Sequence, residues 1–127
     1  MEIHEARYPG RAPIDAYGNG GFRFAGMSHR GSLLLLPSGI YGWPVTGFDE
    51  VDMARLGRIV EEAAAIELLL LGCGPEIRVP PASVRTGLAD IGIAVEFMAT
   101  GPAARTFNVL LSEERAVAAA LIAVDHP

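Results

Sequence analysis

The chain has 127 residues, half of them apolar and a fifth charged, which is the make-up of one globular domain and too short for two ordinary ones. Fifteen acids against ten basic residues leave a net charge of −5, and the basic residues are dispersed, which argues against nucleic-acid or anionic-lipid binding. Every basic residue is arginine, so Schiff-base chemistry and the phosphate-gripping lysine of a P-loop are excluded.

The start, Met1-Glu2-Ile3-His4-Glu5, is acidic and lacks the apolar stretch of a signal peptide. The longest apolar runs (Leu33 to Pro37, Leu68 to Leu71, Ala116 to Val124) fall short of the roughly 18–20 residues that span a membrane. Cys73 is the single cysteine and forms no intrachain disulfide. The expectation is a cytoplasmic protein without membrane insertion, folded as one domain over 1–127 with an ordered core over about 10–124.

From Pro9 to Gly47 the pattern predicts a β-meander. Pro13–Tyr17 is a strand candidate, ended by Gly18-Asn19-Gly20-Gly21, a cluster suited to positive φ. Phe22-Arg23-Phe24 alternates apolar and charged, and Gly26 closes it. Ser32–Leu36 is a continuous apolar run, as in a strand covered on both faces, and Pro37-Ser38-Gly39 turns it into Ile40–Val45.

The second half changes rhythm. Asp49 and Asp52 are N-cap candidates for a helix through about Ala65, with Met53, Leu56, Ile59, Val60, Ala63 and Ala64 on one face. Leu68–Leu71 reads as a buried strand stopped by Gly72-Cys73-Gly74-Pro75. Pro80-Pro81 opens a second helix with Val84, Leu88 and Ile91 inward and Gly92 as its stop. Ile93–Phe97 is the next strand, and Thr100-Gly101-Pro102 starts a third helix with Phe107, Leu110 and Leu111 in one stripe. Two βα units in succession imply parallel strands with right-handed crossovers. The alanine-rich end, Ala116 to Val124, is helical by propensity, yet equally a buried strand of small residues.

Gly72-Cys73-Gly74 is not a dinucleotide fingerprint. Position 77 is isoleucine where a third glycine is needed, and Pro75, Pro80 and Pro81 separate the loop from the next helix. If the two parallel strands are neighbours, the loops 72–75 and 98–101 face each other at their carboxyl ends, where open α/β sheets place ligands. Gly72, Cys73, Gly74, Thr100, Gly101, Arg105 and Asn108 are therefore the candidate ligand site, suited to a small carboxylate or phosphate. The structural alternative has Thr100 capping its helix and Arg105 paired with an acid such as Glu96.

Cys73 lacks an obvious partner among His4, His29 and His126, so a small buried cysteine is preferred to a nucleophile. The scattered histidines give no metal-ligand spacing, and no cofactor, metal or catalytic residue is expected. Tyr41, Trp43 and Phe48 are candidates for an aromatic partner-binding patch, or equally for the core of the meander.

These segments also carry a likeness. Leu68–Gly74, Gly92-Ile93-Ala94-Val95-Glu96 with Met98 and Thr100, Ala104–Leu111 and Arg115–Ile122, with Gly39–Pro44 ahead of them, resemble a small α/β domain family. Its members include the mitochondrial NADH dehydrogenase (complex I) assembly factor 3 and the animal adipogenesis-associated domain protein. The resemblance implies a three-layer α/β domain: a central mixed, mostly parallel five-stranded sheet, helices on its faces, and an added N-terminal β-meander. It also implies that the last segment is a strand. Three positions depart from the family pattern: Ala99 where aspartate is frequent, Phe107 where tyrosine is usual, and Cys73 where threonine is usual. A non-enzymatic protein-binding or assembly-assisting role follows, with a membrane-complex subunit as the kind of partner. The alternative is an anion-binding protein or enzyme using the loops around Arg105.

Overall fold

The computed structural model describes residues 7–127, so the acidic start and His4 lie outside the described residues. Two continuous leucine runs form the middle of the molecule. Strand β5 (Ser32–Leu36) hairpins with β6 (Gly39–Trp43), whose outer side carries the short β1 (Arg7–Tyr8). Strand β7 (Leu68–Gly72) runs parallel to β8 (Ala94–Met98) and to β9 (Val117–Leu121), and β9 closes the sheet by pairing antiparallel with β5. The order is β1-β6-β5-β9-β7-β8.

The sheet is mixed, as expected. It has six strands because the two residues of β1 extend the edge beyond the expected five, and its parallel pairings are confined to β9-β7-β8. Strand β9 settles the ambiguous alanine segment. It is buried on both faces between β5 and β7, so placement in the sheet overrides alanine's helical propensity.

Alternation along each run feeds two cores. Leu34, Leu36, Leu69 and Leu71 face one side, with Phe48, Leu56, Ile59, Val84 and Leu88. Leu33, Leu35 and Leu70 face the other, with Phe22, Phe24, Ala103, Ala104 and Phe107. The first side is covered by α1 (Gly57–Glu61) and α2 (Ala82–Asp90). The second is covered by α3 (Thr100–Ser112) and a separate antiparallel sheet of β2 (Ile14–Gly18), β3 (Gly21–Phe24) and β4 (Met27–Arg30). Three layers result.

The β2–β3 turn takes positive φ at Asn19 and Gly20, the backbone of a tight hairpin, as its composition predicts. Ala25 and Gly26 repeat that turn, so Gly26 does not end the meander but leads into β4, a strand the sequence pattern does not announce. The expected helix to Ala65 is broken. Short 3-10 turns at Phe48–Glu50, Ala54–Leu56 and Ala63–Ala65 flank the five-residue α1, which opens on Gly57. Leu56 and Ile59 point inward, whereas Val60 is 38% exposed and Ala64 lies outside. Asp52 accepts from the Arg55 N–H at 2.9 Å, while Asp49 pairs with Arg78 at 3.0 Å instead of capping.

Helix α2 ends as expected at Gly92 (φ 83°), with Gly92 N–H bonded to Ala89 O and Ile93 N–H to Leu88 O. That geometry turns Ile91 outward, to 37% exposure, against the expectation of an inward side chain. Among the described residues no helix is long and apolar enough to cross a membrane.

Candidate functional site

Parallel pairing of β7 and β8 brings the loops 72–75 and 98–101 together, and there they are stitched shut. Cys73 N–H donates to Met98 O (2.8 Å) and Thr100 N–H to Gly74 O (2.9 Å). The Thr100 hydroxyl accepts from Gly74 N–H at 3.0 Å and donates to Ile122 O at 2.7 Å, while Ile122 N–H returns to Gly72 O at 3.0 Å. Thr100 is fully buried. It is a clamp across three chain segments, not the cap of α3, whose N-cap position belongs to Ala99.

The glycines serve the same closure. A Cβ on Gly72 would sit 2.9 Å from Leu121 Cδ2 and 3.1 Å from the Thr100 hydroxyl oxygen. One on Gly101 would sit 2.3 Å from the Tyr17 hydroxyl oxygen. Gly74 holds φ at 106°, which a larger residue adopts only with strain. Gly72, Cys73, Gly74, Thr100 and Gly101 are all buried.

Arg105 and Asn108 stand apart from that closure, on a shallow cleft of ≈ 480 Å³ between α3 and β2. Arg105 is exposed and donates from Nη1 to the Tyr17 hydroxyl at 3.0 Å, rather than pairing with Glu96. Asn108 is committed to the fold. Its Oδ1 accepts from Ile14 N–H and its Nδ2 donates to Ile14 O, both at 2.8 Å, so the side chain acts as a strand partner that docks β2 on α3. Tyr17 joins both neighbourhoods, touching Gly101 and Arg105, and sequence spacing gave no sign of it.

Cys73 is 3% exposed, and its thiol lies 3.2 Å from Arg78 O and 3.7 Å from Leu71 O. Burial pushes its pKa up, against the smaller opposing pull of hydrogen bonding, so the neutral thiol is favoured. His29 is itself buried, with Nε2 3.0 Å from Ser32 O, and His126 is exposed near the chain end. Among the described residues no three His, Cys, Asp or Glu side chains converge.

The aromatic group divides as well. Trp43 (4% exposed) and Phe48 (8%) sit in the core beneath α1 and α2, with Trp43 Nε1 donating to Arg55 O at 2.8 Å. Tyr41 reaches the surface, where the Arg58 guanidinium lies 4.4 Å over its ring and its hydroxyl meets Ser38 Oγ at 2.7 Å.

Residues 14–122 match the family described as "Protein of unknown function (DUF498/DUF598)". A Rhodobacter capsulatus protein, named only as uncharacterized, is 43% identical over 122 residues, 96% of this chain and 93% of that protein. NADH dehydrogenase [ubiquinone] 1 alpha subcomplex assembly factor 3 of Xenopus tropicalis is 31% identical over 109 residues, 86% of this chain but only 60% of its own length. Among solved structures, one described as an outer membrane protein from Bartonella henselae superposes with a TM-score of 0.89 at 56% identity, covering 92% of this chain and 98% of that one. A Bordetella pertussis protein described as an Mth938-like domain shares the fold at a TM-score of 0.79 and 24% identity, covering 99% and 94%.

Proposed function

The chain belongs to this family, and from that premise we propose that it is a protein-binding domain that assists assembly of a larger complex. The observation that carries the reading is its similarity, over 86% of its length, to a relative named as a complex assembly factor. The partner we assign is a subunit of a membrane complex, met from the cytoplasm. The buried state of Gly72, Cys73, Gly74, Thr100 and Gly101 supports a contact made by the outer surface rather than by a ligand held between those loops. Tyr41 of the candidate aromatic patch and Arg105 of the candidate ligand site both reach the surface, and we assign them to the contact.

The test is affinity capture with the full chain from cytoplasm and from detergent-solubilised native membranes, separated beforehand. Specific recovery of a membrane-complex subunit supports the reading. Recovery of no specific partner from either fraction, with the chain folded, overturns it.

A further inference from the structure

The three-stranded sheet β2-β3-β4 has an outer face that neither core uses. Residues opposite one another across antiparallel strands share a face, and alternate residues repeat it. The pairs Ala16↔Arg23, Gly18↔Gly21, Arg23↔Ser28 and Gly21↔Arg30 therefore lie on one side, opposite Phe22 and Phe24. All six residues of that face line one cup of ≈ 250 Å³. Of the six, Ala16, Gly18, Gly21 and Ser28 are small and Arg23 and Arg30 are long and exposed, and Tyr17, Asn19, Phe22 and His29 complete the lining. Among the described residues no acidic residue lines the cup.

Six of the ten arginines are engaged within the chain, whereas Arg7 and Arg115, like Arg23 and Arg30, are exposed and hold no side-chain contact among the described residues. Arg11, Arg55, Arg78, Arg85 and Arg105 each donate a side-chain hydrogen bond, and Arg58 stacks on Tyr41. Arg23 and Arg30 do neither among the described residues. Like charges on one sheet face repel, so this pair costs the fold a little and stabilises nothing within it. In a chain of net charge −5 it is a local concentration of the opposite sign.

We propose that Arg23 and Arg30 form a docking site for an acidic, extended segment of the partner protein, two of whose carboxylates lie at alternate positions. The inference rests on the protein-binding reading above. As diagonal neighbours, Arg23 and Arg30 are about 7–8 Å apart at their backbones. Carboxylates two residues apart on an extended strand share a face and are spaced by about 6.5–7 Å. Each guanidinium then takes one carboxylate through paired N–H···O bonds, and the Ser28 hydroxyl between them is free to donate a further one. The cup is smaller than the about 300–1,000 Å³ of small-molecule pockets, which suits side-chain carboxylates better than a cofactor.

The experiment titrates the capped peptide Gly-Glu-Gly-Glu-Gly into the isotopically labelled full chain at low salt, followed by amide and arginine Nε–H resonances. Shifts are expected in β2–β4 and at Arg23 and Arg30. Arg23→Gln and Arg30→Gln should each weaken binding by about threefold to fivefold, and the double variant by about tenfold or more. Because neither side chain holds the fold, both variants should keep the parent melting temperature or exceed it.

A peptide with its glutamates adjacent, Gly-Glu-Glu-Gly-Gly, should bind less well. Equal binding of both peptides, unchanged affinity in the double variant, tighter binding of inorganic phosphate than of the peptide, or preference for phosphatidylserine vesicles each overturns the proposal. If affinity capture with the double variant recovers the same partner as the parent, this site falls and the protein-binding reading stands. If neither chain recovers a partner, that reading falls too.

Discussion

Replacing Thr100 with valine tests whether the paired loops are a structural closure. The two side chains are nearly equal in size, but the hydroxyl is lost, and with it the acceptor for Gly74 N–H and the donor to Ile122 O. Both groups are buried, and Thr100 is fully enclosed, so water does not replace what is removed. Each orphaned group costs about 1–3 kcal/mol, and the extra buried methyl returns about 0.8 kcal/mol. The net expectation is a loss of about 1–5 kcal/mol, a large part of the total stability of a domain this size. In urea the midpoint should fall while the slope stays that of the parent. Thermal unfolding should move down by roughly 10 °C.

Thr100→Ser is the informative companion, since it keeps the hydroxyl and removes only the methyl, for about 1 kcal/mol. Hydrogen exchange should quicken at Gly74 in the valine variant and stay slow in the serine variant. A valine variant within about 0.5 kcal/mol of the parent, or a serine variant less stable than the valine one, would refute the clamp.

Gly101→Ala places a Cβ 2.3 Å from the Tyr17 hydroxyl oxygen and should cost about 1–3 kcal/mol. The cost should shrink in a Tyr17→Ala background, and a double-mutant cycle in urea measures the coupling. Asn108→Ala strands both backbone groups of Ile14 and should cost about 1–2 kcal/mol, with faster exchange at the Ile14 amide; Arg105→Ala, at an exposed contact, should stay within about 1 kcal/mol. Burial raises the Cys73 pKa in the folded chain, so its contribution to stability is fully present below the unfolded thiol pKa of about 8.5 and is lost as pH rises toward the folded value. Denaturant midpoints measured across alkaline pH should show that decline, and Cys73→Ala should flatten it. Arg11→Lys should lose about 1 kcal/mol, because one Nη2 reaches both Val117 O (2.8 Å) and Arg115 O (3.2 Å) and ties the N-terminal segment to β9; an unchanged midpoint would show the tie to be idle.

Much of the sheet was legible because its signals are local. The runs at Leu33–Leu36 and Leu68–Leu71 name strands covered on both faces, and Pro81 and Gly92 bracket α2. Three features were decided by tertiary placement. Val117–Leu121 is alanine-rich and became a strand only because β5 and β7 flank it. Residues 48–65 have helical spacing but must deliver Phe48, Leu56 and Ile59 to one core, which short turns broken at Gly57 accomplish. Strand β4 follows an Ala25–Gly26 turn that resembles an ending.

The candidate site divided for the same reason. Its loops met as the parallel pairing required, but what fills the space between them is the Thr100 hydroxyl, and what faces Arg105 is Tyr17, 88 residues earlier. No spacing rule reaches that far.

The absence of lysine takes on a structural meaning beside these contacts. A guanidinium carries five N–H donors in a rigid fork, whereas an ammonium is a compact, strongly hydrated charge. Arg11 uses one arm of the fork on two carbonyls of the β9 approach, Arg85 bonds the Pro80 carbonyl, and Arg58 lies over the Tyr41 ring. These are structural positions for which a lysine offers no equal geometry. Arg23 and Arg30 have no such duty, although the same fork is present at both. A fold that merely needed solubility on that face would be served by any charge, and an acid at either position would remove the repulsion between the two. Two unengaged forks on one face, beside small residues and with no acid lining the cup among the described residues, are arranged for carboxylates brought by a partner.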